Sequence, residues 1–312
     1  MTALARPSSL TLSIAAVERD TGLSKDTLRV WERRYGFPLP LRDAIGERAY
    51  ALDQVDRLRL VKRLLDAGHR PGRVVALPLA DLQQLAESTV DHPQRAAEAA
   101  LGASDLRHLV DLIRVHDVHA FRQSLSLLQA RLGVRGFVAD VVAPLTQAVG
   151  DAWMRGQLQV FEEHLYTELM QAALRHALAS VPPPANPATA PRVLLTTFPG
   201  ELHGLGLLMA ECMFALEGCA CISLGVQTPL GDILKAADAL DVHIVAIGFS
   251  GCLNLKQMQD GLVELRAGLP DSVRLWAGGT TPGLQKRPMT GVEVVTSLSQ
   301  IQTALRARRS NA

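Results

Sequence analysis

The sequence has few cysteines, no long apolar run and almost no net charge, and each shortage excludes a class of protein. Its four cysteines all lie within residues 212–252, and with no export signal ahead of them they are expected to be reduced and buried. No run of about 18 apolar residues occurs, so no transmembrane helix is expected. The first residues, MTALARPSSLTLS, contain no apolar core of a signal peptide. Together these absences predict a cytoplasmic protein.

The net charge of +1 hides an uneven distribution. Residues 1–75 hold 14 Lys and Arg against 9 Asp and Glu, a balance of +5, whereas the remainder holds 18 against 22, a balance of −4. A basic N-terminal module on a slightly acidic body indicates an anionic partner for that module, nucleic acid first. The length of 312 residues favours two or three domains.

A proline-rich segment divides the chain. VPPPANPATAP at 181–191 holds five prolines in eleven residues, which favours an extended linker. The preceding residues, 78–180, have the apolar spacing of a helical bundle, seen most clearly in SDLRHLVDLIRVHD at 104–117. Interruptions of the helical pattern are expected at Gly133 and Pro144.

Strand and helix patterns alternate after the linker. Short apolar strands are predicted at 192–198, 220–226, 242–250, 274–279 and 292–295, and helices at 204–217, 229–240, 254–267 and 297–308. This alternation predicts right-handed βαβ units and an open, flavodoxin-like parallel sheet. Ligands of such folds bind beyond the carboxyl ends of the strands, where FPGELHG, GFSGC and AGGTTPG all fall.

The N-terminal residues 12–37, LSIAAVERDTGLSKDTLRVWERRYGF, have a helix-turn-helix pattern. A short helix is followed by a turn at 21–23 and by a second helix that Ser24 is suited to cap, with Leu28 and Trp31 on its apolar side. Basic and hydroxyl side chains on this second helix can reach phosphates and base edges in a major groove. A basic helix that is merely exposed to solvent is the alternative.

The stretch IAAVERDTGLSKDTLRVWERRYGFPLPLR, followed by GERAYALDQVDRLRLVKRLLDAG, resembles the MerR family of winged helix-turn-helix regulators over residues 11–70. The resemblance implies that residues 1–77 form a domain that binds double-stranded operator DNA. Many metal-sensing members have a long C-terminal coiled coil, which is missing here, so dimerisation must come from elsewhere. By resemblance, the side chains that contact bases or nearby phosphates are Lys25, Thr27 and Arg29, and those that hold the DNA backbone are Arg33, Arg42, Arg48 and Tyr50.

The corner between the first predicted strand of the sheet and its helix carries an unusual histidine, His203. A histidine can bind a metal through one ring nitrogen while a carboxylate, here Glu201, orients the ring. The glycines at 204 and 206 would let a bulky planar ligand approach the start of the helix. The alternative is an ordinary polar residue in solvent at the beginning of a helix.

The hexapeptide Glu201-Leu202-His203-Gly204-Leu205-Gly206 resembles the D/E-x-H-x-x-G signature of cobalamin-binding domains. The resemblance covers residues 192–308 and implies a Rossmann-like cobalamin-binding domain at 192–312, with His203 as the lower axial ligand of cobalt. Two further markers of that family are a serine and a glycine pair, matched by Ser250 and Gly278-Gly279 and implied to line the slot of the nucleotide tail. The family usually has Ser-x-Leu, whereas this chain has Ser250-Gly251-Cys252, so this corner is expected to pack differently.

The helical segment carries a third pattern, Trp153 followed after nine residues by Glu163-His164. It resembles the cap that covers the upper face of cobalamin in CarH-type regulators of the MerR family. The resemblance implies that residues 78–180 form a four-helix bundle in which Trp153, Glu163 and His164 contact the upper ligand, usually a 5′-deoxyadenosyl group. Light-responsive relatives can have a histidine after the tryptophan, where this chain has Met154.

The combined resemblance implies a transcription regulator rather than an enzyme. We expect a repressor whose homotetramer and operator binding are controlled by adenosylcobalamin and light. Alternatives are a cobalamin-level sensor without a light response, a corrinoid carrier, a MerR metal sensor that uses Cys219 and Cys221, and a redox sensor that uses Cys252. A cobalamin mutase is disfavoured because no substrate barrel of about 250 residues fits in the chain.

Overall fold

The computed structural model describes residues 11–43, 45–66, 68–89, 102–250, 253, 255–279 and 289–310. The chain divides into two compact units. The first comprises Met1–Pro93 together with Gly150–Gln159, and the second comprises Gln94–Val149 together with Val160–Ala312.

The first unit is a winged helix-turn-helix. Its elements are β1 (Thr11–Ser13), α1 (Ile14–Thr21), α2 (Lys25–Tyr35), β2 (Leu41–Arg42), β3 (Arg48–Ala51), α3 (Leu52–Asp66), α4 (Pro71–Val74) and α5 (Leu79–Thr89). The three strands form an antiparallel sheet in the order β1-β3-β2. The hairpin β2–β3 is the wing.

Local sequence explains the helix-turn-helix. The Ser24 hydroxyl accepts a hydrogen bond from the Thr27 backbone N–H at 3.2 Å, so α2 begins where the N-cap was predicted. Gly22 ends α1 in the left-handed region, at φ 69°, which a residue with a side chain adopts only at a cost. Leu28 and Trp31 are buried in the core of the unit, as predicted from the spacing of α2.

The helical part of the second unit begins with α6 (Ala103–Arg114) and α7 (Val118–Gly136), followed by a π-helical turn, Phe137–Val142. It continues into α8 (Ala143–Met154), and α9 (Val160–Ala179) follows. Helices α6, α7 and α9 pack on one another. The expected interruption at Gly133 is present as a kink at φ 66°, whereas Pro144 lies inside the first turn of α8. The helical run continues through Pro144 directly after the π-helical turn, where the backbone hydrogen-bonding pattern is already irregular.

The helical run Val118–Met154 is long and apolar enough, by length and composition alone, to cross a membrane. A single run of this kind is weak evidence, because core helices of water-soluble bundles meet the same criterion. Phe121, Leu125, Phe137 and Val141 within it are buried among neighbouring elements of the protein.

The second unit also contains the predicted α/β sheet. Its elements are β4 (Arg192–Thr196), α10 (Leu205–Leu216), β5 (Ala220–Gly225), α11 (Leu230–Ala239), β6 (Ile244–Phe249), α12 (Leu255–Gly268), β7 (Arg274–Gly279), β8 (Val292–Val295) and α13 (Leu298–Ser310). The strands are parallel and lie in the order β5-β4-β6-β7-β8, which confirms the flavodoxin-like prediction. From β4 the chain passes to β5 on one side and then crosses over to β6 on the other side of β4. The switch point of the sheet therefore lies between β4 and β6.

Candidate functional site

The candidate site lies at the carboxyl ends of β4 and β6. After β4 the chain runs through residues 197–204 before α10 begins, and Ser250 directly follows β6. This is the switch point, where two adjacent loops diverge and leave a crevice in folds of this type. Glu201 and His203 of one predicted motif and Ser250 of another meet here.

Glu201 is the centre of this group, and its side chain has no exposed surface. Its carboxylate accepts hydrogen bonds from the backbone N–H of His203 at 3.1 Å and of Ser250 at 2.9 Å. The Ser250 hydroxyl donates to both carboxylate oxygens at 2.9 Å. The Glu201 carboxylate therefore joins the loop after β4 to the end of β6.

Burial and hydrogen bonding act in opposite directions on this carboxyl group. Burial disfavours the charged form, but hydrogen bonds from His203 and Ser250 together outweigh it and hold the pKa of Glu201 below its usual value. The group is therefore a carboxylate at neutral pH. A buried carboxylate with this many donors is a strong acceptor for an imidazole N–H.

His203 presents its ring to solvent while one ring nitrogen is fixed. Its Nδ1 lies 2.7 Å from Glu201 Oε1 and 3.0 Å from Ser250 Oγ, and 58% of its side chain is exposed. A carboxylate partner favours the proton on Nδ1, and a neutral imidazole in this form carries its lone pair on Nε2. The arrangement can therefore present an oriented nitrogen ligand to a metal.

Two residues that the sequence analysis missed hold the loop in place. The buried Thr197 hydroxyl donates to the Glu201 carbonyl at 2.8 Å and accepts from the Gln227 backbone N–H, also at 2.8 Å. Gln227 adopts a left-handed backbone, φ 61°, and its side chain accepts from the Gly200 N–H. Thr197 lies near the end of the strand predicted at 192–198 and Gln227 directly follows the one predicted at 220–226, so their only sequence signal is their position at the ends of strands.

The four glycines of the predicted site differ in what surrounds them. A Cβ at Gly206 would meet no atom within 4 Å, and one at Gly204 would lie 3.3 Å from Val226, so the start of α10 borders open space. At Gly279, φ is 141° and a Cβ would lie 1.9 Å from the Phe249 carbonyl oxygen. Gly278 pairs with Gly248, and Gly279 with Phe249, between β7 and β6. The glycine at 279 is required by the backbone of the neighbouring strand.

The predicted upper-face residues belong to both units. Trp153 lies in the first unit, with Arg63 of α3 over its ring at 4.0 Å, and Met154 is partly buried beside it in sequence. Glu163 and His164 lie in the first turn of α9, in the second unit, where Glu163 accepts a hydrogen bond from the Thr167 hydroxyl at 2.7 Å. The His164 side chain is 72% exposed.

Three of the seven predicted DNA-contacting residues, Arg29, Arg33 and Arg42, are exposed on α2 and the wing. Arg42 donates to the Gly46 carbonyl of the wing turn. Lys25 pairs with Glu18, and Arg29 pairs with Asp26. Exposed pairs of this kind contribute little stability, so these side chains can exchange a carboxylate for a phosphate. Thr27 takes part in the α2 cap, with its hydroxyl 2.8 Å from that of Ser24.

The structure places Arg48 and Tyr50 differently from the other predicted contacts. Arg48 is paired with Glu32 of α2 at 2.8 Å, which raises the pKa of its guanidinium, and both side chains are 25% exposed. Tyr50 is fully buried, so it is a core residue in this structure rather than a surface contact. Its ring packs in the core of the first unit, and its hydroxyl has no hydrogen-bond partner among the residues described.

The cysteines of the alternative metal and redox hypotheses lie in apolar surroundings. Cys212 and Cys219 are buried and Cys221 is partly buried. Burial raises the pKa of Cys212 to about 12 and also raises that of Cys221, so both are thiols at neutral pH. No group of three His, Cys, Asp or Glu side chains within the described ranges could hold a metal ion. Cys252 lies outside those ranges.

Comparison with known proteins identifies the family. Residues 12–77 match the MerR HTH family regulatory protein model, and residues 106–178 match the B12 binding domain model. The chain is 30% identical over 259 residues to the HTH-type transcriptional repressor CarH of Myxococcus xanthus, covering 83% of this chain and 85% of that protein. The chain belongs to the MerR family of transcription regulators, in the branch with a B12-binding domain.

Further relatives agree with this membership. The HTH-type transcriptional repressor CarA of Myxococcus xanthus is 29% identical over 242 residues, covering 77% of each chain. A solved structure, the monomethylamine corrinoid protein of Methanosarcina barkeri, superposes with a TM-score of 0.53 at 16% identity and covers 64% of this chain and 96% of that one. It shows the shared fold. The sequence relatives are transcription regulators, which confirms the expectation of a regulator rather than an enzyme.

The depressed pKa of Glu201 predicts a pH-dependent effect of Glu201→Gln on stability. The stabilisation by the ionised carboxylate is fully present above its unfolded pKa, near the ordinary value of 4.5, and is lost as the pH falls through the lower folded pKa. We expect the variant to lose about 2 kcal/mol at neutral pH, the scale of hydrogen bonds to a charged group. The measurement is urea unfolding between neutral and acidic pH. A difference from wild type that does not shrink in acid would contradict the ionised assignment.

Proposed function

We propose that this regulator is a transcriptional repressor that binds adenosylcobalamin through His203 and controls operator binding through the bound cofactor. The observation that carries the proposal is the buried Glu201 carboxylate, 2.7 Å from Nδ1 of a half-exposed histidine at the switch point of the sheet. This pair orients one nitrogen ligand outward, and the open space at Gly206 gives a planar ligand room to approach.

The small number of metal-binding side chains around His203 favours a metal that is already coordinated by a macrocycle. A free transition metal in a protein site is usually held by three or four protein ligands. Around His203 the described residues supply no cluster of three metal-binding side chains. A metal in a macrocycle needs only an axial ligand, and the cobalt of cobalamin is such a metal. The B12 binding domain model matches residues 106–178, in the helical segment, and supports cobalamin as the cofactor of the chain.

Further roles follow from the family resemblance and are part of the proposal. Ser250, Gly278 and Gly279 would line the slot of the nucleotide tail, and Gly204 and Gly206 would form the surface beneath the corrin ring. Trp153, Glu163 and His164 would contact the upper ligand. We propose four segments: a DNA-binding domain at 1–77, a helical cap at 78–180, a linker at 181–191 and a cobalamin-binding domain at 192–312.

Repression, light response and oligomerisation form the regulatory part of the proposal. The relatives CarH and CarA are repressors, which supports the same sign of control here. The photolabile cobalt–carbon bond of adenosylcobalamin would supply light sensitivity. A homotetramer would present several winged modules to operator DNA in the cytoplasm, and linked modules can gain about 10²–10⁴ in avidity without new contacts.

The second candidate is a cobalamin-level sensor without a light response. Met154 favours it, because it occupies the position where light-responsive relatives can have a histidine. The two candidates share the cofactor and the DNA and differ only in the signal.

His203→Ala tests the cofactor assignment. Wild-type protein incubated in the dark with adenosylcobalamin should retain it on gel filtration and give a base-off, histidine-bound spectrum. The variant should lose the histidine-bound spectrum and bind at least about tenfold more weakly, because an axial ligand is removed. The matched control is His176→Ala, which removes an exposed imidazole from the last turn of α9. Retention of the wild-type spectrum by His203→Ala would exclude His203 from the site.

Illumination separates the two candidates for the signal. If light is the signal, the adenosylcobalamin complex should be an oligomer in the dark and should become smaller after illumination, as measured by light scattering on a sizing column. The control is the complex with hydroxocobalamin, which has no cobalt–carbon bond to an adenosyl group. Equal sizes of the dark and lit adenosylcobalamin complexes would favour the cobalamin-level sensor.

Arg33→Ala tests the DNA-binding face. Loss of one phosphate contact should weaken binding to a mixed-sequence duplex and reduce the slope of log K against log salt by about 0.9. Arg59→Ala is the matched control, because Arg59 is held by Asp20 and Asp56 and no DNA contact is assigned to it. Tyr50→Phe should leave the slope unchanged, because the Tyr50 hydroxyl is buried. An unchanged slope for Arg33→Ala would remove this residue from the interface.

A further inference from the structure

Arg63 is a buried arginine in the first unit. It lies in α3 with 6% of its surface exposed. A buried guanidinium is costly unless it is engaged by polar or aromatic partners. Its guanidinium carbon lies 4.0 Å from the centre of the Trp153 ring, and its Nη1 donates a hydrogen bond to the Trp153 carbonyl oxygen. Arg63 therefore holds both the ring and the backbone of Trp153.

Trp153 is held by its ring face and not by its hydrogen-bonding group. Its indole N–H is shielded from solvent and has no hydrogen-bond partner among the described residues. A buried tryptophan usually satisfies its N–H. The contact with Arg63 therefore defines the position of this ring in the structure.

The proposed function assigns the Trp153 ring another partner, the upper axial group of the cofactor. A planar group that stacks on an indole lies at van der Waals distance from the ring. The Arg63 guanidinium already occupies this position over one face of Trp153. The hydrogen bond to the Trp153 carbonyl anchors the backbone, so the ring cannot present this face elsewhere without releasing Arg63. The face of the Trp153 ring that Arg63 covers can thus serve either α3 or the cofactor, but not both at once.

We propose that Arg63 competes with the upper axial group of the cofactor for the face of Trp153, so that cofactor binding releases α3 from the Trp153 segment. This inference rests on the proposed function. Since coupling between two binding events is reciprocal, the Arg63 contact must weaken cofactor binding by the same factor by which the cofactor weakens the contact. Arg63 is in this sense a coupling residue and needs no contact with the cofactor itself.

The test compares two cobalamins in Arg63→Met, which keeps an unbranched apolar side chain but removes the planar cation. Adenosylcobalamin carries the large upper group and hydroxocobalamin does not. We expect Arg63→Met to lower the dissociation constant of adenosylcobalamin about twofold to thirtyfold, the range of one cation–π contact, and to leave that of hydroxocobalamin unchanged. Both constants are measured in the dark by absorbance titration.

Arg57→Met is the matched control. Arg57 lies in the same helix, over the Phe37 ring at 3.8 Å, and donates to the Val75 carbonyl, so it makes the same two kinds of contact away from Trp153. It should leave both constants unchanged. Should Arg63→Met fail to fold, Arg63→Lys keeps the charge without the planar group, and a smaller gain in adenosylcobalamin affinity is expected.

Two outcomes overturn the proposals separately. Wild-type protein that binds adenosylcobalamin with the same or higher affinity than a folded Arg63 variant overturns the competition and leaves the proposed function intact. Wild-type protein that binds neither cobalamin overturns the proposed function, and this inference with it.

Discussion

The buried Glu201 carboxylate is the interaction on which the geometry of the site depends. A charge without exposed surface must be satisfied by donors, and here they come from the loop after β4 and from Ser250 after β6. These are adjacent strands of the sheet, so one side chain ties together both sides of the switch point. His203 can therefore be more than half exposed and still be oriented, because its Nδ1 is held from the buried side.

Two kinds of charge pairing have different consequences in the DNA-binding unit. Lys25 and Arg29 are in exposed pairs that exchange partners with little loss of stability. Arg48 and Glu32 are more shielded and join the wing to α2 across 16 positions of sequence. A DNA phosphate that paired with Arg48 would break its ion pair with Glu32. The phosphate and the Glu32 carboxylate would then be two negative charges close together. Arg48 therefore serves better as a brace of the wing than as a first contact with DNA.

Much of the fold could be predicted because its signals are local. The Ser24 cap, the apolar side of α2 and the five alternating strands are encoded within short windows, and parallel βαβ rules then supply the strand order. The Glu201–His203 pair is also local, being two residues apart.

The unpredicted contacts depend on tertiary structure. Tyr50 is buried against α1, α2 and α3 residues of the first core, and the residues next to it in sequence do not encode this packing. The contact of Thr197 with Gln227 joins positions 30 apart, and that of Arg63 with Trp153 joins positions 90 apart. No spacing rule covers such distances. These are the contacts that fix the loop of the site and the position of the predicted upper-face tryptophan.

The distribution of apolar cores bears on how a cofactor could act. The first unit has a core of its own around Leu28, Leu58 and Tyr50, and the α/β sheet has another around Val245, Leu262 and Leu275. Neither core contains a residue of the Glu201 group. We propose that a ligand at His203 acts on folded protein and not by completing either apolar core. It can then shift an equilibrium between arrangements only by its difference in affinity for them. In one arrangement the Trp153 ring is in contact with Arg63, and this one cation–π contact creates such a difference in affinity. Multivalent DNA binding would enlarge the effect of that difference.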